Sequence, residues 1–167
     1  MGLAVGKVSL EPYNPKWAED FLQEKIELQD IFGKETPIEH VGSTSVPGLS
    51  AKPIIDIAVG LDSLDEFEKY RPIIEKLSQY SIKEDSDKDE WLVRKGPEEN
   101  RTHFIHVLDK NAPRFKNYIK FRNYLRDHPD TLKQYENLKK DLAVKYADER
   151  KKYTAAKADF IKGILEK

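Results

Sequence analysis

The sequence contains no cysteine, which excludes disulfide bonds and thiol chemistry and suits a reducing compartment. It also has almost no net charge, because 29 Lys and Arg residues nearly cancel 30 Asp and Glu residues to leave a formal charge of -1. Attraction of the whole protein to nucleic acid or to an anionic membrane surface is therefore not expected. We predict a cytoplasmic protein with neither of these partners.

Long apolar runs are also missing. The segment from Met1 to Leu10 is too short and too weakly apolar for a signal peptide or a membrane span. Its Met-Gly start does not lead into a myristoylation motif, because Gly6 stands where Ser or Thr is required. A length of 167 residues is sufficient for one domain with a sizeable core, so we predict a single domain over residues 1–167.

Apolar periodicity predicts an α+β fold with a small mixed sheet. Helices are predicted after Asn14-Pro15 and after Asp62-Ser63, where a capping residue precedes an apolar stripe. Two more are predicted from Arg114 to Arg126 and from about Thr131 towards Lys167, separated at His128-Pro129. The predicted strands cover residues 38–42, 53–60, 80–85, 90–95 and 101–108, with an acidic turn from Ser86 to Asp89.

The stretch from Ile38 to Leu61 carries the most chemistry. Its pattern predicts a strand, a tight polar turn and a second strand that contains Asp56 among β-branched residues. A carboxylate in a buried strand is costly unless it binds a cation or is fully hydrogen-bonded. The preceding turn offers backbone access and hydroxyl donors for phosphate oxygens. Its residues are Gly42, Ser43, Thr44 and Ser45. The alternatives are that Asp56 caps the turn and that the serines only stabilise it.

The strings EHVGSTSVPGL (39–49) and AKPIIDI (51–57) resemble the signature of the GrpB family, a branch of the nucleotidyltransferase superfamily. That superfamily's pattern is Gly-Ser, a gap, and a strand with two acidic residues; here Gly42-Ser43 is followed by twelve residues and Asp56. The second acidic position is Ala58, so half of the usual metal pair is absent. The resemblance continues in NRTHFIHV (100–107) and FRNYLRDHP (121–129). It implies a nucleotidyltransferase-type sheet with the C-terminal helices packed across it. Lys52, at the start of the second strand, is a further candidate phosphate-binding residue.

Two histidines in the last predicted strand are alternative site residues. His103 and His106 are three residues apart, so a regular strand points them to opposite faces and they cannot share one metal ion. A histidine among apolar neighbours is more often a core residue than a ligand. The resemblance matches His106 to the family's last histidine, and so implies that His106 complements Asp56.

The C-terminal helices place cations on faces that should be buried. Arg122, Lys139 and Lys157 each interrupt an apolar stripe at helical spacing. One interpretation is that their stems pack against apolar side chains while their heads reach water. The other is that the three heads converge on an anionic ligand in front of Asp56.

These observations favour a protein that binds a nucleotide or another phosphorylated small molecule. Asp56 would hold Mg²⁺ or Mn²⁺, His106 would assist it, and nucleotidyl transfer to an acceptor would be possible. One alternative is a catalytically degenerate module that binds a ligand or a partner protein, favoured by Ala58. A metal-dependent phosphohydrolase using Asp56 and His106 is a third hypothesis. The sequence leaves the substrate and the oligomeric state open.

Overall fold

A five-stranded mixed sheet forms the centre of the computed structural model, which describes residues 1–85 and 87–167. The strands are β1 (Ile38–Val41), β2 (Ile55–Leu61), β3 (Tyr80–Lys83), β4 (Trp91–Lys95) and β5 (His103–Asp109). Their order is β1-β2-β5-β4-β3, with β2 and β5 parallel and the other pairs antiparallel. The predicted mixed α+β fold is confirmed. The turn predicted from Ser86 begins at a residue outside the described ones.

Six helices pack on this sheet within the described part of the chain. They are α1 (Lys16–Phe32), α2 (Phe67–Glu75), α3 (Pro113–Asp127), α4 (Pro129–Lys145), α5 (Arg150–Ala156) and α6 (Ala158–Leu165). Helices α3 and α4 both begin with proline, whose missing N–H costs nothing in a first turn. None of the helices in residues 1–85 and 87–167 combines the length and apolar character needed to cross a bilayer.

The prediction of one continuous helix from about Thr131 towards Lys167 is wrong, because the chain turns after α4. The amide of Tyr146 closes α4 on the Leu142 carbonyl at 2.8 Å. The N-terminal arm then binds the turn, since the Val8 amide donates to the Ala147 carbonyl at 2.8 Å. Helices α5 and α6 consequently fold back over the sheet instead of extending away from it.

The two faces of the sheet carry different side chains because successive residues of a strand alternate. Ile55, Ile57 and Val59 of β2 join the main apolar core, which also contains side chains of α1 and α2. Ala58 faces the other way, in a smaller apolar cluster with Phe115 of α3. Asp56 and His106 therefore project from the face that the C-terminal helices cover.

The turn after β1 depends on Gly42. Its φ of 68° and ψ of -172° belong to a region that side chains strongly disfavour. A Cβ atom at this position would lie 2.6 Å from Oδ2 of Asp56. Strands β1 and β2 pair antiparallel with Val41 opposite Asp56, so the turn sits directly over the carboxylate. The absence of a side chain at Gly42 is therefore a condition for the position of Asp56.

Replacing Gly42 with Ala is expected to destabilise the fold by about 2–4 kcal/mol, since backbone strain and overpacking add. Gly48→Ala is a matched control, because Gly48 also has a positive φ (82°) but no atom within 4 Å of the added Cβ. We expect the control to cost only about 1–2 kcal/mol. Urea unfolding of both variants tests this, and an equal loss of stability would contradict the proposed contact with Asp56.

Candidate functional site

A cavity of about 430 Å³ lies between the sheet and the C-terminal helices. Its floor is formed by the turn after β1 and by the outward-facing residues of β2 and β5, and its walls by α3, α4, α5 and α6. Most of the predicted site residues line it: Gly42, Ser43, Thr44, Lys52, Asp56, His106, Lys139 and Lys157. We call this cavity the cleft.

Asp56 and His106 form a hydrogen-bonded pair on the floor of the cleft. Nε2 of His106 lies 3.4 Å from Oδ1 of Asp56, and its Nδ1 lies 3.3 Å from Oε1 of Glu90. Tyr118 of α3 donates its hydroxyl to Oε2 of Glu90 at 3.3 Å. The imidazole is thus fixed between two carboxylates, as an imidazolium that donates from both nitrogens.

The carboxylates determine the charge of His106. Burial alone would lower the pKa of His106, but its hydrogen bonds to Asp56 and Glu90 and the charges of both outweigh burial and raise it to about 9. Burial would raise the pKa of Asp56, yet the His106 hydrogen bond and charge, with the charges of Lys52 and Lys157, hold it below its ordinary value. At neutral pH the pair is an ion pair.

Five Lys or Arg side chains line the cleft above this pair, and within the described part of the chain Arg114 is the one that forms ion pairs, with Asp87 and Glu90. Lys52 and Lys157 lie over the ring of Tyr153, with Nζ 5.4 and 4.4 Å from the ring centroid. Lys139 is only 1% exposed and donates to the Ser50 carbonyl. Arg150 stacks over Phe104, and its buried Nη2 has no hydrogen-bond partner among the described residues.

Burial and mutual repulsion weaken the protonation of these lysines. Burial and the charges of Arg150 and Lys157 lower the pKa of Lys52 to about 7. Burial and Lys157 lower the pKa of Lys139 to about 6, and burial and Arg150 lower that of Lys157 to about 8. The cleft therefore contains too little negative charge to keep all three lysines protonated. A bound anion would raise their pKa values again.

Two predicted phosphate-binding residues lie elsewhere, so their predicted place in the site is wrong. Arg122 is directed towards β1, where Nη1 contacts Oε2 of Glu39 at 2.7 Å and the His40 carbonyl at 2.9 Å. Ser45 is 3% exposed and donates its hydroxyl to the Gly42 carbonyl at 2.6 Å. Both residues stabilise the strand and turn that carry the site and do not line the cleft.

His103 and His106 lie on opposite faces of the sheet, as the alternation of side chains along β5 requires. His106 lines the cleft, whereas His103 is 5% exposed on the opposite face, where Glu24 and Lys95 are among the charges that act on it. Burial lowers the pKa of His103, as expected for a neutral core histidine. His106 is thus the histidine of the site.

Arg150 and Glu90 are two residues of the cleft that were not predicted from the sequence. Arg150 precedes Tyr153 by three residues and Lys157 by seven, so extending the apolar stripe by one turn would have placed it on the same helix face. Glu90, 7% exposed, contacts His106 only because β4 pairs with β5. The signal that could have found this contact is the short turn from Gly96 to Asn100 between two predicted strands, a pattern typical of an antiparallel hairpin.

The donor atoms of the cleft do not fit a protein-held Mg²⁺ site. Within residues 1–85 and 87–167, no group of three or more His, Asp or Glu side chains is arranged to hold a metal ion. One oxygen of Asp56 faces His106, whose charge repels a cation. Mg²⁺ prefers several oxygen ligands at short distances.

This chain is similar in sequence to the members of one protein family. The model of the GrpB protein family matches residues 7–167. A glutamate-rich protein GrpB of Alkalihalophilus pseudofirmus is 35% identical over 170 residues, which cover 99% of this chain and 98% of that protein. The UPF0157 protein YqkA of Bacillus subtilis is 37% identical over 162 residues, but this chain spans only 47% of its length.

A solved structure has the same fold. The crystal structure of the conserved protein GrpB from Enterococcus faecalis superimposes with a TM-score of 0.84 at 35% sequence identity. The match covers 95% of both chains. The sheet and helices described above are therefore an arrangement that this related protein shares.

The charge of His106 is testable by NMR titration of its ring protons. We expect a midpoint near pH 9 in the wild type and a lower midpoint in Asp56→Asn, which removes one of the stabilising charges. Because the folded-state pKa is raised from 6.5, the stability contributed by this group is fully present below pH 6.5 and is lost as pH rises through about 9.

The control is Asp65→Asn, which removes the charge of an exposed carboxylate that does not line the cleft. It should leave the His106 midpoint unchanged. A wild-type midpoint near 6.5, or the same midpoint in Asp56→Asn, would contradict the ion pair.

Proposed function

The chain belongs to the GrpB family, and we propose that its cleft binds a phosphorylated small molecule, with a nucleotide as the leading candidate. The observation that carries this proposal is the group of cations around the cleft, Lys52, Lys139, Lys157 and Arg150, which form no ion pair with a carboxylate within the described residues. Buried cations that repel one another are unfavourable unless an anion joins them.

The turn after β1 supplies the second part of the proposed site. Ser43 and Thr44 line the cleft next to Gly42, whose backbone a ligand can approach closely because it has no side chain. Asp56 follows on the next strand, as in the nucleotidyltransferase pattern. We therefore propose that the sheet is of the nucleotidyltransferase type and that this turn binds phosphate oxygens.

The aromatic side chains of the cleft suit a ligand that also carries a ring. Phe104, Phe121 and Tyr118 line the cavity beside the cations. Flat aromatic surfaces stack on bases and other planar groups. A cavity of about 430 Å³ lies within the usual range of small-molecule sites. These features favour a nucleotide over a small inorganic anion.

We favour the binding of a phosphorylated ligand over nucleotidyl transfer as the function of the cleft. Ala58, where a second carboxylate would bind metal, is fully buried and pairs across the sheet with His106. Transfer is the second candidate, because the Asp56–His106 pair is held at the floor of the cleft, where it can exchange a proton with a ligand. We further propose that the chain acts as one cytoplasmic domain, with a small molecule as its partner.

Replacing Lys157 with Met should weaken ATP binding by about tenfold or more, because a charged contact contributes about 1.5–3 kcal/mol. Met keeps the apolar stem and removes the charge. The control is Lys151→Met, which removes an equal charge from an exposed position on α5. Isothermal titration calorimetry measures both, with circular dichroism to check folding.

Equal affinities in the two variants would show that Lys157 is an ordinary partly buried lysine. Absence of ATP binding by the wild type would remove nucleotides from the proposal, and inorganic phosphate and phosphorylated sugars tested in the same way would decide whether the broader function stands.

Anion binding should also take up protons. The pKa values of Lys139 and Lys52, about 6 and 7, leave much of their population neutral at pH 7.5, and phosphate would raise both. We expect uptake of about one proton per ATP, and affinity that falls as pH rises from 6 to 9. Calorimetry in buffers of different ionisation enthalpy measures the uptake.

Lys139→Met should reduce this proton uptake, whereas Lys151→Met should preserve it. A binding enthalpy independent of the buffer in the wild type would show that the lysines are already charged in the free protein.

A further inference from the structure

We infer that the cleft takes a ligand with two or more adjacent phosphates as the metal-free anion, with lysine and arginine supplying the charge that a divalent cation would otherwise supply. This inference rests on the proposed function and specifies the ligand class of the same site. It departs from the Mg²⁺ or Mn²⁺ expected from the sequence.

The charge balance of the cleft is the first argument. Asp56 is the carboxylate whose charge acts on Lys52, Lys157 and Arg150, and it is already shared with His106. One phosphate group contributes about -1.5 to -2 at neutral pH. A single phosphate would therefore leave part of the cationic group unneutralised, whereas a di- or triphosphate matches it.

The positions of the cations are the second argument. Lys139 lies over Tyr135, with Nζ 5.0 Å from the ring centroid, and Lys157 lies over Tyr153. Arg150 lies over a third ring, that of Phe104 on β5. The charged heads are thus distributed over several rings of the cleft, which suits an extended anion. The Nη2 atom of Arg150, buried without a partner among the described residues, is a donor that a ligand oxygen would satisfy.

The ion pair between Asp56 and His106 leaves little room for a metal ion, which is the third argument. A metal ion bound to Asp56 would compete with the His106 imidazolium, whose Nε2 lies 3.4 Å from the carboxylate. It would also lie near Lys52 and Lys157, whose pKa values are already lowered. Adding a divalent cation increases this repulsion, whereas adding an anion relieves it. The same carboxylate repels phosphate, so in this arrangement Asp56 orients His106 and is not itself a ligand-binding group.

The test is calorimetric titration of the full chain with ATP, ADP, AMP and pyrophosphate, each with EDTA or with excess Mg²⁺ at matched ionic strength, and with Mn²⁺ in parallel. We expect ATP to bind about tenfold or more tightly in EDTA than in Mg²⁺, because the metal masks phosphate charge. Pyrophosphate should bind in EDTA, and AMP should bind more weakly than ADP or ATP. Comparison of pyrophosphate with ATP separates an inorganic ligand from a nucleotide.

Each outcome is decisive for one of the two proposals. Tighter binding with Mg²⁺ or Mn²⁺ would overturn the inference and leave the proposed function standing. AMP binding as tightly as ATP would overturn the requirement for adjacent phosphates. If none of the four binds under either condition while another phosphorylated compound does, this inference fails alone; if no phosphorylated compound binds, the proposed function fails.

A variant of Asp56 gives an independent test. Asp56→Asn, checked for folding by circular dichroism, should preserve the ratio of ATP affinity in EDTA to that in Mg²⁺, whatever its effect on the affinity itself, because Asp56 holds no metal ion in this arrangement. A loss of ATP binding that occurs only in the presence of Mg²⁺ would identify Asp56 as a metal ligand and overturn the inference.

Discussion

The carboxylate of Asp56 is the group on which the arrangement of the cleft depends. It sits on a buried strand, where an unpaired charge would be very costly. The His106 imidazolium compensates it at 3.4 Å, and Glu90 compensates the other side of the imidazolium at 3.3 Å. Gly42 leaves room for it, since any side chain there would overlap its oxygen. Arg114 continues this chain of alternating charges, since its Nε lies 3.4 Å from Oε2 of Glu90. The excess positive charge therefore belongs to the walls of the cleft.

Sequence patterns predicted the floor better than the walls. The turn at Gly42 and the carboxylate of Asp56 lie close together in sequence, and strand alternation requires His103 and His106 to point to opposite faces. The choice of His106 as the partner of Asp56, 50 positions away, was implied by the family resemblance. Lys139 and Lys157 were predicted because each interrupts an apolar helical stripe. Arg150 was missed although it continues the helical spacing of Tyr153 and Lys157, because the chain turn between α4 and α5 contains no Gly or Pro to mark where α5 begins.

Arg122 shows why a helical pattern alone cannot assign such a cation. It interrupts an apolar stripe in the same way as Lys139, but α3 runs beside β1 and offers its guanidinium the carboxylate of Glu39 at 2.7 Å. Among the described residues, Lys139 donates to a carbonyl, that of Ser50, and lies over the Tyr135 ring, but forms no ion pair with a carboxylate. Whether a cation on an apolar face stabilises the fold or serves a ligand is decided by tertiary neighbours, which periodicity does not encode.

The hydrogen bonds between the N-terminal arm and the turn before α5 join parts of the chain that are far apart in sequence. Lys7 contacts Asp148 at 2.6 Å across 141 positions. Closing a loop of this length has a high entropic cost and is expected late in folding. A nascent chain can thus form the sheet, with Asp56 and His106 in place, before α5 and α6 emerge from the ribosome. Until then the floor of the cleft is open to water and lacks Arg150 and Lys157, so the ability to bind an anion would be the last property this protein acquires during synthesis.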